Sequence, residues 1–507
     1  MLNLKVLPAQ ALTVVITLGL FLLITSAFYP LGFLSVFDAK RLLQLGMFVA
    51  LLAFVIFHAP LRNTTIEQLG RVSKPVGLAI IALFIIGTAS SLRLAHPAYA
   101  LVDVAMIFVM ILLVFVTAGS RELSSTLFDK WAVVLLAAMG FAVSVQEFMG
   151  FIVGWVIGIE FSYEQVLVHF ANPRFYNQLQ TWSIPVMTAL PLLFRDTRRI
   201  KLLCVTLLGL QWFLVFSTGA RGTTLSLVTA MVFIAFWLPR QRRYWLRLQL
   251  AGVLAGIVFY LGIVLLNNML IPGPGDFYIH SVGRPMVHTS GRSMLWRLAS
   301  QDAIANPVLG TGPTRFACDS DLVLPAHPHS FPVRIMGEWG FVALLVLLLL
   351  AMSIGFRFLA NIKRHSTGQS INSRAHKPPD KLSCGHAESH LRAMLAISVI
   401  AGAIHACLSG LLIMPASQVA MLLMAGWALS LSANSQQAAA GTIRHAKVAA
   451  PLLLAGLLLA CAQLGFAARE IPRLQARTGY SQESVQLVPR FWWVGRVCEY
   501  RYLKTEK

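Results

Sequence analysis

Residues 322–342 read LVLPAHPHSFPVRIMGEWGFV, a His-Pro-His turn running into an apolar run long enough to cross a bilayer. Histidine is the side chain whose ordinary pKa lets it accept a proton near neutrality. Where a water-facing loop meets a membrane helix, His327 and His329 place a titratable base at headgroup depth. A lipid-anchored sugar donor would present its scissile bond at that depth. This points to a membrane enzyme acting on a lipid-linked substrate, with His329 as the base and His327 beside it at the substrate or shaping the turn.

Three other charged stretches lie on the same predicted external side, between or at the edges of apolar runs. ANPRFYNQLQ (171–180) supplies Arg174 and Asn177 as substrate-binding candidates. STGARG (217–222) places Arg221 in a very tight turn between two apolar runs, and SGRSMLWRLA (290–299) supplies Arg292 and Arg297. The segment 268–332 holds Arg284, Arg292, Arg297 and Arg315 but no lysine, balanced by Asp276, Asp302, Asp319 and Asp321. A guanidinium offers phosphate oxygens a planar two-pronged fork that an ammonium lacks. The plain alternatives are a headgroup anchor for a boundary arginine and loop-stabilising ion pairs with the aspartates. Glu338, behind the histidines, either orients the base and the substrate or stabilises a helix amino terminus.

The chain has 507 residues, 57% hydrophobic and 12% charged, with mean hydropathy +0.72. Soluble domains carry roughly a quarter charged residues, so the composition is that of a polytopic membrane protein. Apolar runs of spanning length recur near 9–29, 42–59, 75–94, 98–118, 131–157, 178–194, 200–218, 222–238 and 246–267. They resume near 333–360, 392–412, 416–433 and 448–466, about thirteen in all. The expected fold is an all-α transmembrane bundle of about 12–13 spans with one large periplasmic loop. The net charge of +21 sits in short clusters between apolar runs rather than in a basic domain, which argues against nucleic-acid binding. RDTRRIK (195–201) and RQRRYWLR (240–247) carry four basic residues each and are read as cytoplasmic, with the amino terminus on the same side. The segments are then N-terminal spans 1–267, a periplasmic loop 268–332, C-terminal spans 333–466 with a cytoplasmic loop 361–391, and a periplasmic tail 467–507.

In order along the chain, Arg221-Gly222, Gly291-Arg292 with Trp296, Gly310 and Gly312, His329, and Glu338-Trp339-Gly340 give a pattern that resembles the O-antigen ligase and polymerase superfamily. The resemblance covers roughly 170–345. It departs at Ser330, where asparagine is usual, and at Ala220, where serine is common. It implies a glycan transferase of the bacterial inner membrane, with its active site on the periplasmic face and no cofactor or metal. The donor would be a glycan on undecaprenyl diphosphate, and the acceptor a lipid A-core sugar, another lipid-linked repeat or a protein side chain. Arg221 and Arg292 would stabilise the departing diphosphate while His329 deprotonates the acceptor, inverting the anomeric centre. Arg174, Asn177, His327, Arg297, Arg315 and Glu338 would contact substrate. The rival from another class is a polysaccharide transporter or flippase, which calls for ionisable residues near span centres.

Other motifs read as ordinary. Asp319-Ser320-Asp321 has the spacing of a metal-binding triplet but is common in polar loops, and LGTGP (309–313) is a turn rather than a dinucleotide fingerprint. The cluster His365, His376, Cys384, His386 and His390 lacks zinc spacing. Cys204, Cys407 and Cys461 lie in apolar runs as packing residues, and the topology permits a Cys318–Cys498 disulfide.

Overall fold

The computed structural model describes residues 36–94, 96–158, 167, 170, 173–194, 196–239, 241–270, 291–318, 327–366, 380–432 and 442–478. Among them the regular elements are helical. In chain order they are α1 (Val36–Phe57), α2 (Ala59–Gly70), α3 (Lys74–Leu92), α4 (Pro97–Leu123), α5 (Ser125–Ile157), α6 (Pro173–Met187), α7 (Leu190–Leu193), α8 (Arg198–Ser217), α9 (Arg221–Trp237) and α10 (Arg242–Leu270). Then come α11 (Arg292–Ala305), a short 3-10 turn (Arg315–Cys318), α12 (Phe331–Ser366), α13 (Asp380–Leu408), α14 (Pro415–Ser432) and α15 (Thr442–Thr478). Ten of these helices are long and apolar enough to cross a membrane, so the chain is a multi-pass membrane protein. Their outward faces are apolar too: Leu345, Leu349 and Phe356 on α12 and Leu254 and Val258 on α10 are exposed. Such a surface is stable against lipid rather than water, because a helix satisfies its own backbone and needs no polar coat there.

Internal packing divides the described residues into two units. The first draws on 1–123, 289–357 and 406–507, the second on 124–288 and 358–405. In the first unit α4 is central, packing against α1, α2, α3, α14 and α15. In the second, α8 is central, with α10, α5, α6 and α7 around it, while α9 packs on α6. Local sequence sets several boundaries. Thr197 caps α8 by accepting from the Ile200 N–H at 3.3 Å, and His58 does the same for α2 through Leu61 at 3.2 Å.

Three boundary expectations change. The run 178–194 is not one span: α6 ends at Met187 and the chain restarts as the four-residue α7. Pro185 has no N–H to give back along the helix, Thr188 Oγ turns onto the Pro185 carbonyl at 2.6 Å, and the Ala189 N–H bonds to Val186 O at 2.9 Å in a tightened last turn. The stretch 361–391, read from the sequence as a cytoplasmic loop, is helix where described, because α12 runs on to Ser366 and α13 begins at Asp380. The tail read as starting at 467 is still α15 as far as Thr478. Of the three cysteines placed in packing roles, Cys204 is buried, whereas Cys407 and Cys461 are exposed on their span helices. The first span at 9–29, Arg284, Asp319, Asp321 and the Cys318–Cys498 pairing lie outside the described residues.

Candidate active site around the His-Pro-His turn

The His-Pro-His turn is tied from three sides within the first unit. His329 is a non-glycine residue with φ +53, in the left-handed region, which costs an L-residue roughly 1–2 kcal/mol. Its N–H donates to Nδ1 of His327 at 3.0 Å. Trp296, one turn into α11, donates its indole N–H to the Pro328 carbonyl at 2.9 Å. The Arg334 N–H bonds to Ser330 O at 2.9 Å, so the turn is also the first hydrogen-bonded step of α12. α11 can reach the turn because Leu295, Ala299 and Phe316 form a small core against which Val333 packs.

The two histidines are held differently. His327 is 1% exposed, with its ring 4.3 Å centroid to centroid from that of His329. A ring that accepts at Nδ1 carries its proton on Nε2 when neutral, so the His329 N–H fixes the His327 tautomer. His329 is only half-buried. His327 is thus a turn-shaping group by its geometry, and His329 is the imidazole of the pair that stays partly exposed.

Behind the turn α12 breaks. Gly340 has φ +88 and ψ 174 inside the helical run, so 331–339 and the long apolar stretch after it are two helical pieces. The apolar run read as one span from 333 therefore starts with a kink. The loop 307–312 fills the break: Thr311 N–H bonds to Gly337 O at 3.0 Å, Gly312 N–H to Glu338 O at 2.8 Å, and Phe341 N–H to Pro307 O at 2.8 Å. A Cβ at Gly340 would lie 2.6 Å from the Val308 carbonyl group, and one at Gly310 would lie 2.3 Å from the Glu338 carbonyl carbon. LGTGP is thus a turn: Gly310 is needed for this close approach, and Gly312, with φ +107, sits against the Leu94 side chain. Gly340→Ala combines a left-handed backbone with a backbone clash, so a loss of about 1–3 kcal/mol or more is expected. A lowered thermal midpoint in detergent would register it, and an unchanged midpoint would contradict the wedged loop.

Glu338 faces away from solvent at 1% exposed and accepts from Arg334 Nε at 3.0 Å. The same guanidinium donates through Nη2 to Asp103 on α4. Arg41 on α1 donates to Gln44 at 2.6 Å, to Gln418 at 2.7 Å and to the Ile413 carbonyl at 2.7 Å. Arg292 opens α11 half-buried, Arg297 on the same helix is exposed, and Arg315 begins the 3-10 turn half-buried.

The second unit holds Arg174, Asn177 and Arg221. Arg174 is exposed in the first turn of α6, and Arg221 is exposed at the start of α9. Gly219, with φ +56, reverses the chain between α8 and α9. Ala220 takes the N-cap position of α9 without a side-chain cap, the consequence of lacking a serine there. Asn177 is 1% exposed, donating to Gln180 at 2.8 Å, while its carbonyl accepts from Thr223 at 3.0 Å. It therefore joins α6 to α9. His405 on α13 was not marked by the sequence. It is 4% exposed, its Nδ1 lies 2.7 Å from Thr181 Oγ, and its ring packs under Gly222, beside Arg221. A lone histidine in an apolar run gives no signal of such a neighbour. Asp103 was visible in principle as a charge inside an apolar run, and Arg41 as one at a run's edge. Arg334 and Glu338 were visible as an i, i+4 pair.

The fold and these arrangements define a multi-pass helical membrane protein whose titratable turn sits where a kinked helix begins. Residues 204–348 match the O-antigen ligase family model, so the chain carries a domain of that family. The family covers O-antigen ligases and related lipid-linked glycan transferases. The matched stretch includes Arg221, Arg292, Trp296, His327, His329, Arg334 and Glu338, and it leaves out Arg174 and Asn177. No curated protein matches the chain.

Proposed function

We propose that the protein is an inverting glycan transferase of the bacterial inner membrane, acting on the periplasmic face. It moves an oligo- or polysaccharide from undecaprenyl diphosphate to a lipid A-core sugar, as an O-antigen ligase. The observation that carries this reading is the half-buried His329, held in a left-handed turn by the His327 and Trp296 hydrogen bonds within the family-matched residues. In this mechanism His329 takes the proton of the acceptor hydroxyl as that oxygen attacks the anomeric carbon. The bond to the diphosphate oxygen breaks on the opposite face, and no strong acid is needed because diphosphate leaves readily. Arg221 and Arg292 stabilise the charge developing on it. His327 holds the turn instead of reacting. A polymerase and a protein O-oligosaccharyltransferase share this donor chemistry and differ in the acceptor.

The flippase rival calls for charges near span centres. Arg41, Asp103 and Arg334 lie instead within the first two turns of their helices, and the histidines lie before a helix start. Running lipopolysaccharide and glycoproteins of a deletion strain side by side on gels tests the assignment. Lipid A-core without polymer, with glycoproteins intact, is the expected result. Unaltered lipopolysaccharide would overturn the ligase reading. Arg221→Lys and Arg292→Lys keep the charge and lose the fork, so both are expected to lower transfer by about ten-fold or more. Near-complete activity in both lysine variants would reduce these arginines to point charges or anchors.

A further inference from the structure

The first unit encloses a cavity of about 200 Å³ that the proposed mechanism does not use. Its polar end is made by Arg41, Asp103, Arg334 and Gln418, and Phe331, which follows the His-Pro-His-Ser turn directly, is in its wall. These residues come from the first two turns of α1, α4, α12 and α14, so the positive ends of four helix dipoles gather there. Two guanidinium groups and the Asp103 carboxylate line the space, with Glu338 behind Arg334 as a second counter-charge. Neither arginine is loose: Arg334 is fixed by Asp103 and Glu338, and Arg41 by Gln44, Gln418 and the Ile413 carbonyl. A guanidinium has five N–H donors, more than the two carboxylate contacts of Arg334 use.

The rest of the wall is apolar and runs in one direction. Met106, Ile107, Met110, Ile111 and Val114 continue from Asp103 down a single face of α4, with Met421 of α14 also in the wall. From Asp103 to Val114 this stripe is roughly 16 Å long at the rise of an α-helix. A head rich in N–H donors, from two guanidinium groups and the helix starts, above one narrow apolar stripe suits an amphiphile with an anionic head and a single chain. A glycerophospholipid brings two chains, which this volume and one stripe do not match.

We infer that this cavity takes the phosphate-proximal isoprene units of the lipid-linked donor, with Arg41 and Arg334 at its phosphate end and the α4 stripe along its chain. The inference rests on the donor chemistry proposed above and adds Arg41, Asp103, Arg334 and the α4 stripe to the residues that serve it. Asp103 acts by holding Arg334 in place.

The test uses the full chain in lipid nanodiscs and undecaprenyl phosphate carrying a diazirine on its first isoprene units. Cross-links are expected within residues 99–114, reduced by excess unlabelled undecaprenyl phosphate and not by phosphatidylglycerol. Met110→Trp and, at the far end of the stripe, Val114→Trp fill the chain path. Each is expected to raise the KM for the lipid-linked donor about ten-fold or more while kcat stays within about two-fold, as when a pocket rejects part of an apolar group. Cross-links confined to other segments, or equal competition by phosphatidylglycerol, would overturn the inference. So would an unchanged KM in whichever tryptophan variant folds. Those results leave the transferase reading standing if His329→Ala still loses transfer. Absence of any transfer by the unmodified protein would instead strike that reading, and the cross-linking would still judge the cavity.

Discussion

His329→Ala is expected to lose glycan transfer by about two to four orders of magnitude while the protein inserts and folds. The loss follows from the base alone: no other side chain in the described turn is both titratable and partly exposed, since His327 is 1% exposed and commits Nδ1 to the His329 N–H. The scaffold should survive because the bonds that fix the turn use the backbone of residue 329, the Pro328 carbonyl and the Ser330 carbonyl. His329→Asn is the sharper variant. Asparagine tolerates the left-handed backbone that this position adopts, so it keeps the turn and removes the base. Both variants should retain the thermal midpoint and lose turnover. Near-normal activity in well-expressed His329→Asn would remove the catalytic assignment, whatever the alanine variant does.

Arg334→Met is expected to destabilise the protein by about 3–5 kcal/mol, because it leaves charged partners buried without their cation. The Arg334 side chain is 5% exposed and that of Glu338 1%, and Asp103 meets the same guanidinium from α4. The cost is the stranded charge rather than the pair's net contribution, since taking Arg334 and Glu338 out of water is itself expensive. The triple variant Arg334→Met with Asp103→Asn and Glu338→Gln should therefore recover a large part of the lost stability. Thermal unfolding of the single and triple variants in the same detergent measures the difference. An Arg334→Met protein that melts like the unmodified chain would show that the three groups are not coupled as the geometry has them.

Hydropathy alone determined that this chain is a helical membrane protein, because a span must bury about twenty residues in hydrocarbon and satisfies its backbone internally. Among the described residues each apolar run except 178–194 is met by one helix, while α2 and α11 answer to no run. The sequence also determined which side chains could act. His329 and Arg221 are polar groups at run edges, Arg292 stands in the loop between runs, and their order along the chain is that of the family pattern. Packing decided what each of them touches. Arg334 and Asp103 are 231 residues apart, and Trp296 reaches Pro328 across 32. A periodic signal read within one window carries no information about such partners. The kink at Gly340 was hidden for the same reason: the run 333–360 is apolar throughout, and the break exists because residues 307–312 wedge into it. Asn177 is a substrate candidate by its place in the sequence; in the fold its side chain is buried and donates to Gln180, while its backbone carbonyl accepts from Thr223 of α9. Local chemistry thus marked the candidate residues, and long-range helix packing decided which of their polar groups stay exposed and which face one another.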